Sequence, residues 1–178
     1  DDLSRGLGDV YKRQVEYISE HAIAQISCGA DAVQLFDSWA GDCDDDHLID
    51  CVFDPTAQVI ENIRAKHPNT PIIAFPRMIG KDVKQFCHWC KPDVISISAD
   101  VSPSWAAKHL EGYTIQGGMD PQVLMMSKTE VIRRTLEYVK MMSKTPYIMN
   151  LGHGILPETP IENVETLIRT VRDHKKIK

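Results

Sequence analysis

The sequence predicts an α/β chain built on a parallel sheet, and three observations carry that expectation. Its short apolar runs, such as Pro71-Ile72-Ile73-Ala74-Phe75 and Val94-Ile95-Ser96-Ile97-Ser98, are continuous rather than alternating, as in strands covered on both faces. Segments of helical period follow them in turn, so strand and helix alternate along the chain as in right-handed βαβ units. Polar or glycine-rich turns close most of the runs, which is the side where a β/α barrel gathers its functional groups. A doubly wound sheet fits the same alternation, although no G-x-G-x-x-G follows any strand.

Composition sets the outer limits. The 178 residues suit one domain or most of one, with apolar and charged content ordinary for a globular protein. No apolar run approaches the ~20 residues of a membrane helix, and no secretory signal is visible. The net charge is −5 and the basic residues are scattered, which argues against a nucleic-acid partner. A polyanionic substrate would need a local cationic pocket. Five cysteines, Cys28, Cys43, Cys51, Cys87 and Cys90, are odd in number and irregularly spaced. Such a set reads as reduced thiols of a cytoplasmic protein.

In chain order, residues 1–14 show no clear period and read as a non-native or disordered leader, leaving 15–178 as the folded domain. From Val15 to Cys28 a helix is expected, with Ile18, Ala22, Ile23 and Ile26 at its spacing and Gly29 as its stop. A strand over 31–36 ends in the polar turn Asp37-Ser38-Trp39-Ala40-Gly41. The acidic stretch 42–47 lacks the glycine and glutamate of a calcium loop and reads as a solvated helix start. Residues 49–66 read as a helix interrupted near Pro55, which suits the first position of a fresh helix. Strands are expected near 71–75, 94–98, 113–116 and 147–149. Helices are expected at 81–91, 103–110, 128–143 and 162–174. In the helix at 128–143, Val131, Ile132, Leu136, Val139 and Met142 form the inward face.

Several residues invite a chemical role. Cys87-His88-Trp89-Cys90 has the spacing of a redox pair and an H-x-C of some zinc sites, but it lies late in a predicted helix with no second ligand pair. Packing is its expected role. Ser38 has no nucleophile elbow around it and is placed to hydrogen-bond a ligand. Arg77 is a candidate carboxylate clamp, with a surface arginine as the alternative. His153 stands between Gly152 and Gly154 where an apolar run, Tyr147-Ile148-Met149, hands over to a loop. Glycines there admit unusual backbone angles and close approach, and a histidine can serve as acid or donor near neutral pH. A plain turn with an exposed histidine is the other reading.

Three segments together resemble the uroporphyrinogen decarboxylase family. Gln34-Leu35-Phe36-Asp37-Ser38-Trp39-Ala40-Gly41 is similar to its Q-[LI]-F-[DE]-S-x-A-G. Gly117-Gly118-Met119-Asp120-Pro121 resembles its G-N-[LM]-D-P. Asn150-Leu151-Gly152-His153-Gly154-Ile155, with Pro157, Thr159 and Pro160, resembles its N-L-G-H-G-I-x-P-x-T-P. Pro71 to Arg77 adds a likeness to P-I-I-G-F-P-[KR]. The segments keep the family's order across residues 15–174. Gly118 in place of asparagine, Met78-Ile79 in place of small residues, and Ser98 where many members carry an aspartate are departures from the pattern.

The resemblance implies a (β/α)8 barrel of the TIM type, usually a homodimer, with no metal or organic cofactor. It implies conversion of uroporphyrinogen III to coproporphyrinogen III by removal of four acetate carboxylates, on the cytoplasmic haem and tetrapyrrole pathway. Ser38 and His153 would bind substrate, Phe36 would line the cleft, and Arg77 remains the clamp candidate. No catalytic acid is assigned, His153 being the one candidate. Five strands make an incomplete barrel, since such barrels take ~250 residues. The chain is therefore expected to be the C-terminal five β/α units, a fragment inactive alone. Two alternatives stand beside it: a corrinoid-linked methyltransferase on the same barrel, binding zinc through H-x-C, and a non-catalytic tetrapyrrole-binding module.

Overall fold

The computed structural model describes the backbone of residues 2–174 and the side chains of residues 11–174. Helices and strands alternate: α1 (Asp2–Ser27), β1 (Val33–Asp37), α2 (Asp54–Lys66), β2 (Ile72–Pro76), α3 (Val83–Cys90), β3 (Val94–Ile97), α4 (Pro103–His109), β4 (Thr114–Gly117), α5 (Lys128–Met141), β5 (Tyr147–Ile148) and α6 (Ile161–His174). The five strands form one sheet in the order β1-β2-β3-β4-β5, the order that successive β/α units generate. The predicted α/β class and all five strands are therefore present. No helix of the described residues is long and apolar enough to cross a membrane.

The chain divides after Ile95 into two compact units. In the first, β1 runs parallel to β2 with Phe36 opposite Phe75 and Asp37 opposite Pro76, and β2 pairs with β3 through Ile73–Val94 and Ala74–Ile95. Its core holds Phe53, Ile60, Ile63, Ile72 and Phe86, each almost fully buried. Phe53 and Phe86 meet edge to face at 5.3 Å, the arrangement favoured by ring quadrupoles. Removing an isoleucine of this kind from water contributes about 1.5–3 kcal/mol.

At the N-terminal ends of these strands a polar bracket closes the unit. The Arg64 guanidinium donates to the Lys91 carbonyl at 2.8 Å and to Asp93 Oδ2 at 3.2 Å. The same Asp93 oxygen accepts the Ile72 N–H at 2.9 Å. Lys91 sits in the left-handed region at φ 52°, ending α3.

The helix expected from Val15 extends in both the backbone and its contacts. It begins at Asp2, and the Tyr11 hydroxyl donates to Cys51 Sγ at 3.5 Å. Of the leader expected at 1–14, residue 1 and the side chains of residues 2–10 lie outside the described residues. The interruption expected near Pro55 is a change of winding rather than a break. Residues Ile49–Phe53 form a π-helical turn that runs directly into α2, with Pro55 in the first turn. Proline has no N–H to continue that winding, and Pro55 falls where the π-helical turn gives way to α2. The acidic stretch forms two short 3-10 turns, Ala40–Asp42 and Asp45–His47.

In the second unit β4 runs parallel to β5, Ile115 opposite Tyr147 and Gln116 opposite Ile148. Ile97, Leu110, Ile115, Leu124, Val131 and Met142 are buried. The inward face of α5 differs from the expected one. Val131 and Met142 are buried, but Leu136 is 39 % exposed and Thr135 is fully buried. The stripe is 131-135-138-142, set by the helix period from its two end anchors. Thr135 is tolerated inside because its hydroxyl donates to the Val131 carbonyl at 2.7 Å. Asn163 of α6 is likewise satisfied, donating to the carbonyls of Leu124 and Met126 at 2.9 Å each.

Candidate functional site

In the first unit the C-terminal ends of β1 and β2 carry two turns that hold each other. Arg77 N–H donates to the Asp37 carbonyl at 3.0 Å, and Gly41 N–H donates to the Arg77 carbonyl at 2.9 Å. Arg77 Nη1 donates to the Ser38 carbonyl at 3.0 Å. Gly41 is required there, because a Cβ would lie 2.4 Å from the Met78 carbonyl oxygen. Within the first turn Asp37 Oδ1 accepts the Trp39 N–H at 3.2 Å, an Asx turn. Burial holds the Asp37 carboxyl above its usual value, opposed by the N–H groups of Trp39 and Ala40.

This bracing presents an exposed Ser38 hydroxyl beside two outward aromatic rings. Phe36 is 68 % exposed and packs edge-on against Phe75 at 6.0 Å. Trp39 is 75 % exposed and was not singled out in the sequence, where nothing distinguishes it from a turn residue. Met78 is half exposed at φ 63°, a region that costs a non-glycine residue about 1–2 kcal/mol. The family pattern with small residues after the arginine suits this geometry, and the methionine is the departure that carries the strain. Arg77, expected as a clamp, spends one guanidinium N–H on the Ser38 carbonyl.

In the second unit the ends of β4 and β5 are joined as closely. Gly117 and Gly118 sit at φ 80° and 88°, so glycine is needed at both. A Cβ on Gly117 would lie 2.9 Å from the carbonyl oxygens of Ile97 and Leu151. The Tyr147 hydroxyl donates to the Gly117 carbonyl at 2.7 Å. Met119 bridges to Leu151, and Gly152 N–H donates to the Met119 carbonyl at 2.7 Å. Asp120 Oδ1 accepts the Gln122 N–H at 2.9 Å and starts the following turn.

The two glycines around His153 have different reasons. Neither takes a positive φ, so unusual backbone angles are not the cause at either position. Gly152 is buried with its Cα against backbone, and a Cβ would lie 2.5 Å from the Ala99 nitrogen. Around Gly154 nothing lies within 4 Å of an added Cβ. His153 itself is exposed, its Nδ1 3.3 Å from the Gly154 carbonyl oxygen. The imidazole therefore stands out from a backbone pinned one residue earlier.

The departure at Gly118 has a structural counterpart. The Tyr138 hydroxyl occupies the space a side chain at 118 would enter, 2.5 Å from the Cβ position. That hydroxyl is buried and has no hydrogen-bond partner among the described residues, and burial pushes it above the usual tyrosine range. Its ring stacks on Tyr147 at 6.1 Å. The sequence signal for Tyr138 was available only through the phase of α5.

The Cys87–Cys90 segment packs, as expected. Both thiols are buried in α3 and pushed up to about 12 by burial. Cys90 Sγ donates to the Phe53 carbonyl at 3.3 Å, and Trp89 Nε1 donates to Asp54 Oδ1 at 2.8 Å. Among the described residues no three His, Cys, Asp or Glu side chains are grouped to hold a metal ion.

Parallel strands in chain order, with hydroxyl, imidazole and aromatic groups at their C-terminal ends, define an α/β chain of the kind that builds ligand sites from strand-end loops. The sequence model of uroporphyrinogen decarboxylase (URO-D) matches residues 7–174, so the chain belongs to the uroporphyrinogen decarboxylase family. The uroporphyrinogen decarboxylase of Wolbachia sp. subsp. Brugia malayi is 36% identical over 166 residues, 93% of this chain and 48% of that protein. Those of Cereibacter sphaeroides (strain ATCC 17025 / ATH 2.4.3) and Rickettsia africae are each 38% identical, over 89% and 88% of this chain and 46% and 45% of theirs. The chain thus spans about half the length of the curated relatives it matches.

Proposed function

We propose that this chain serves the decarboxylation of uroporphyrinogen III to coproporphyrinogen III, a carboxy-lyase reaction that removes four acetate carboxylates. The observation that carries the reading is positional. The three segments that resemble the family motifs run through or just past the C-terminal ends of β1, β4 and β5. Their glycines are demanded by close backbone approach at 41, 117 and 152. The sheet in chain order suits consecutive units of a (β/α)8 barrel.

The chemistry asks for few groups. Loss of CO2 from a pyrrole acetate leaves an electron pair that needs a sink, and protonation of the ring carbon creates one. The protein must then supply a proton, balance the ring cation and hold the remaining carboxylates. Ser38 and His153 supply hydrogen bonds to carboxylates, His153 being the candidate proton donor. Phe36 offers a face to the macrocycle. Arg77 contributes mainly by fixing the Ser38 carbonyl, with its remaining N–H groups open to an anion. Residues 1–178 alone bind substrate without turning it over. The whole enzyme works as a homodimer in the cytoplasm.

The test is titration of the chain with uroporphyrinogen under anaerobic conditions, with Ser38→Ala and His153→Ala alongside. Each truncation should weaken binding by about tenfold, the order expected of a charge-assisted hydrogen bond. Unchanged binding in both variants would remove these residues from the site. Coproporphyrinogen formed by the chain alone would overturn the statement that it does not turn over.

A further inference from the structure

The carboxylate-binding reading makes no use of Met78 or Trp39, yet the turns at the ends of β1 and β2 hold both out to solvent. Met78 sits at φ 63°, a region that a residue with a side chain enters only at a cost. Burial does not offset that cost, because the side chain is 49 % exposed. The family pattern has small residues at this point. Strained backbone of this kind gathers at ligand sites. The place of the side chain is also fixed. Met78 Cβ lies 2.6 Å from the point that a Cβ on Gly41 would occupy, so the thioether leaves the chain directly against the turn that carries Ser38. Trp39 leaves that turn one residue after Ser38. Its N–H is held by Asp37 Oδ1, its carbonyl accepts the Asp42 N–H at 2.9 Å, and Ala40 behind it is almost fully buried. Two large apolar side chains are thus presented on rigid backbone beside the Ser38 hydroxyl and the Arg77 guanidinium.

What such a lip does depends on the group set against it. A carboxylate beside the Met78 thioether would lose water and gain no donor, since methionine has none. A methyl in the same place gains by leaving water. Those are the two groups that separate the substrate of the proposed reaction from its product, because each acetate that loses CO2 becomes a methyl. Resting on the carboxylate-binding reading of Ser38, we propose that Met78 is a specificity-determining residue. With Trp39 beside it, it shifts the preference of this site toward tetrapyrroles whose acetates have become methyls. The thioether covers a methyl while Ser38 holds a carboxylate that remains. A small residue at 78 leaves that place to water, so the departure from the family pattern is also the source of the preference.

The experiment measures the dissociation constants of uroporphyrinogen III and coproporphyrinogen III, both kept reduced under anaerobic conditions, for the unaltered chain, Met78→Gly and Met78→Leu. The ratio of the two constants is the readout, since a general change in the turn moves both together. In Met78→Gly the ratio should move against coproporphyrinogen by about fourfold, the factor for returning one methyl to water. Its urea midpoint should hold or rise, because glycine takes φ 63° freely. Met78→Leu restores an apolar side chain of similar volume and should restore the ratio. Covering the lip should also move tryptophan emission to shorter wavelength. That shift should vanish in Trp39→Phe, which keeps Trp89 on Asp54 and Trp105 on His109. A ratio unchanged in Met78→Gly, or binding by the unaltered chain without the emission shift, would overturn the proposal and leave the carboxylate-binding reading standing. Binding of neither tetrapyrrole to the unaltered chain would overturn that reading and this proposal with it.

Discussion

The contrast between Gly152 and Gly154 gives a quantitative test of what pins the histidine loop. Both flank His153, both have ordinary backbone angles, and alanine at either would lower the entropy of the unfolded chain by about 0.4–1 kcal/mol. In Gly154→Ala nothing opposes that gain, since no heavy atom lies within 4 Å of the new carbon. Its expected effect is therefore the full gain, about 0.4–1 kcal/mol of stabilisation. In Gly152→Ala the new carbon meets the Ala99 nitrogen at 2.5 Å and the Ser98 carbonyl carbon at 2.9 Å. These are backbone atoms, and no rotamer change relieves them. Displacing them also strains the Gly152 N–H bond to the Met119 carbonyl. Overpacking of this kind costs about 3 kcal/mol, the upper part of its usual range. After the entropy gain, a net loss of about 2 kcal/mol remains, or roughly 4–8 °C in Tm for a chain this long. Urea unfolding followed by far-UV circular dichroism reads both variants at a common m value. Equal midpoints for the two variants, or an unperturbed Gly152→Ala, would refute the close approach of residues 99 and 152.

Two further outcomes follow from groups already described. Tyr138→Phe keeps the ring on Tyr147 and deletes a buried hydroxyl with no partner among the described residues. It should raise stability by about 1 kcal/mol, and a loss of that size would show that the hydroxyl is bonded after all. Asp37→Asn keeps the oxygen that accepts the Trp39 N–H. Because the folded carboxyl titrates above its usual value, the native state binds its proton more tightly, and wild-type stability falls as pH rises from the ordinary aspartate range through the raised one. The asparagine variant should lack that fall, so its midpoint should exceed the wild type's at neutral pH and converge with it in acid.

Much of the architecture was legible because buried parallel strands announce themselves as continuous apolar runs. The runs ending at Phe36, Phe75, Ser98, Gln116 and Met149 each became a strand within a residue or two. Helix phase was less legible. In α5, Leu136 and Thr135 exchange the places their hydropathy suggests, because Val131 and Met142 fix the rotation and a threonine can bond its own helix. The site was read mainly from motifs. What the motifs could not show was why their glycines are there, since that depends on a residue 53 positions earlier in the case of Gly152 and Ala99. Nor could they show that Arg77 is engaged with the backbone of the Ser38 turn. Contacts between segments distant in sequence leave no local pattern.

The Arg64 bracket has a bearing on how this chain tolerates change. It fastens the beginnings of β2 and β3, through Lys91, Asp93 and Ile72, while Ser38 and Trp39 stand past the end of β1 and Met78 past the end of β2. β2 thus has an anchored start at Ile72 and carries the turn with Arg77 and Met78 past its other end, separated by its own length. Substitutions in the turns past the strand ends can accumulate and be screened for new ligands while the anchor holds β2 beside β3. An Arg64 variant, by contrast, would lower the threshold at which any such change unfolds the chain. For engineering this family member, the first residues to leave untouched lie at the opposite ends of the strands from those worth varying.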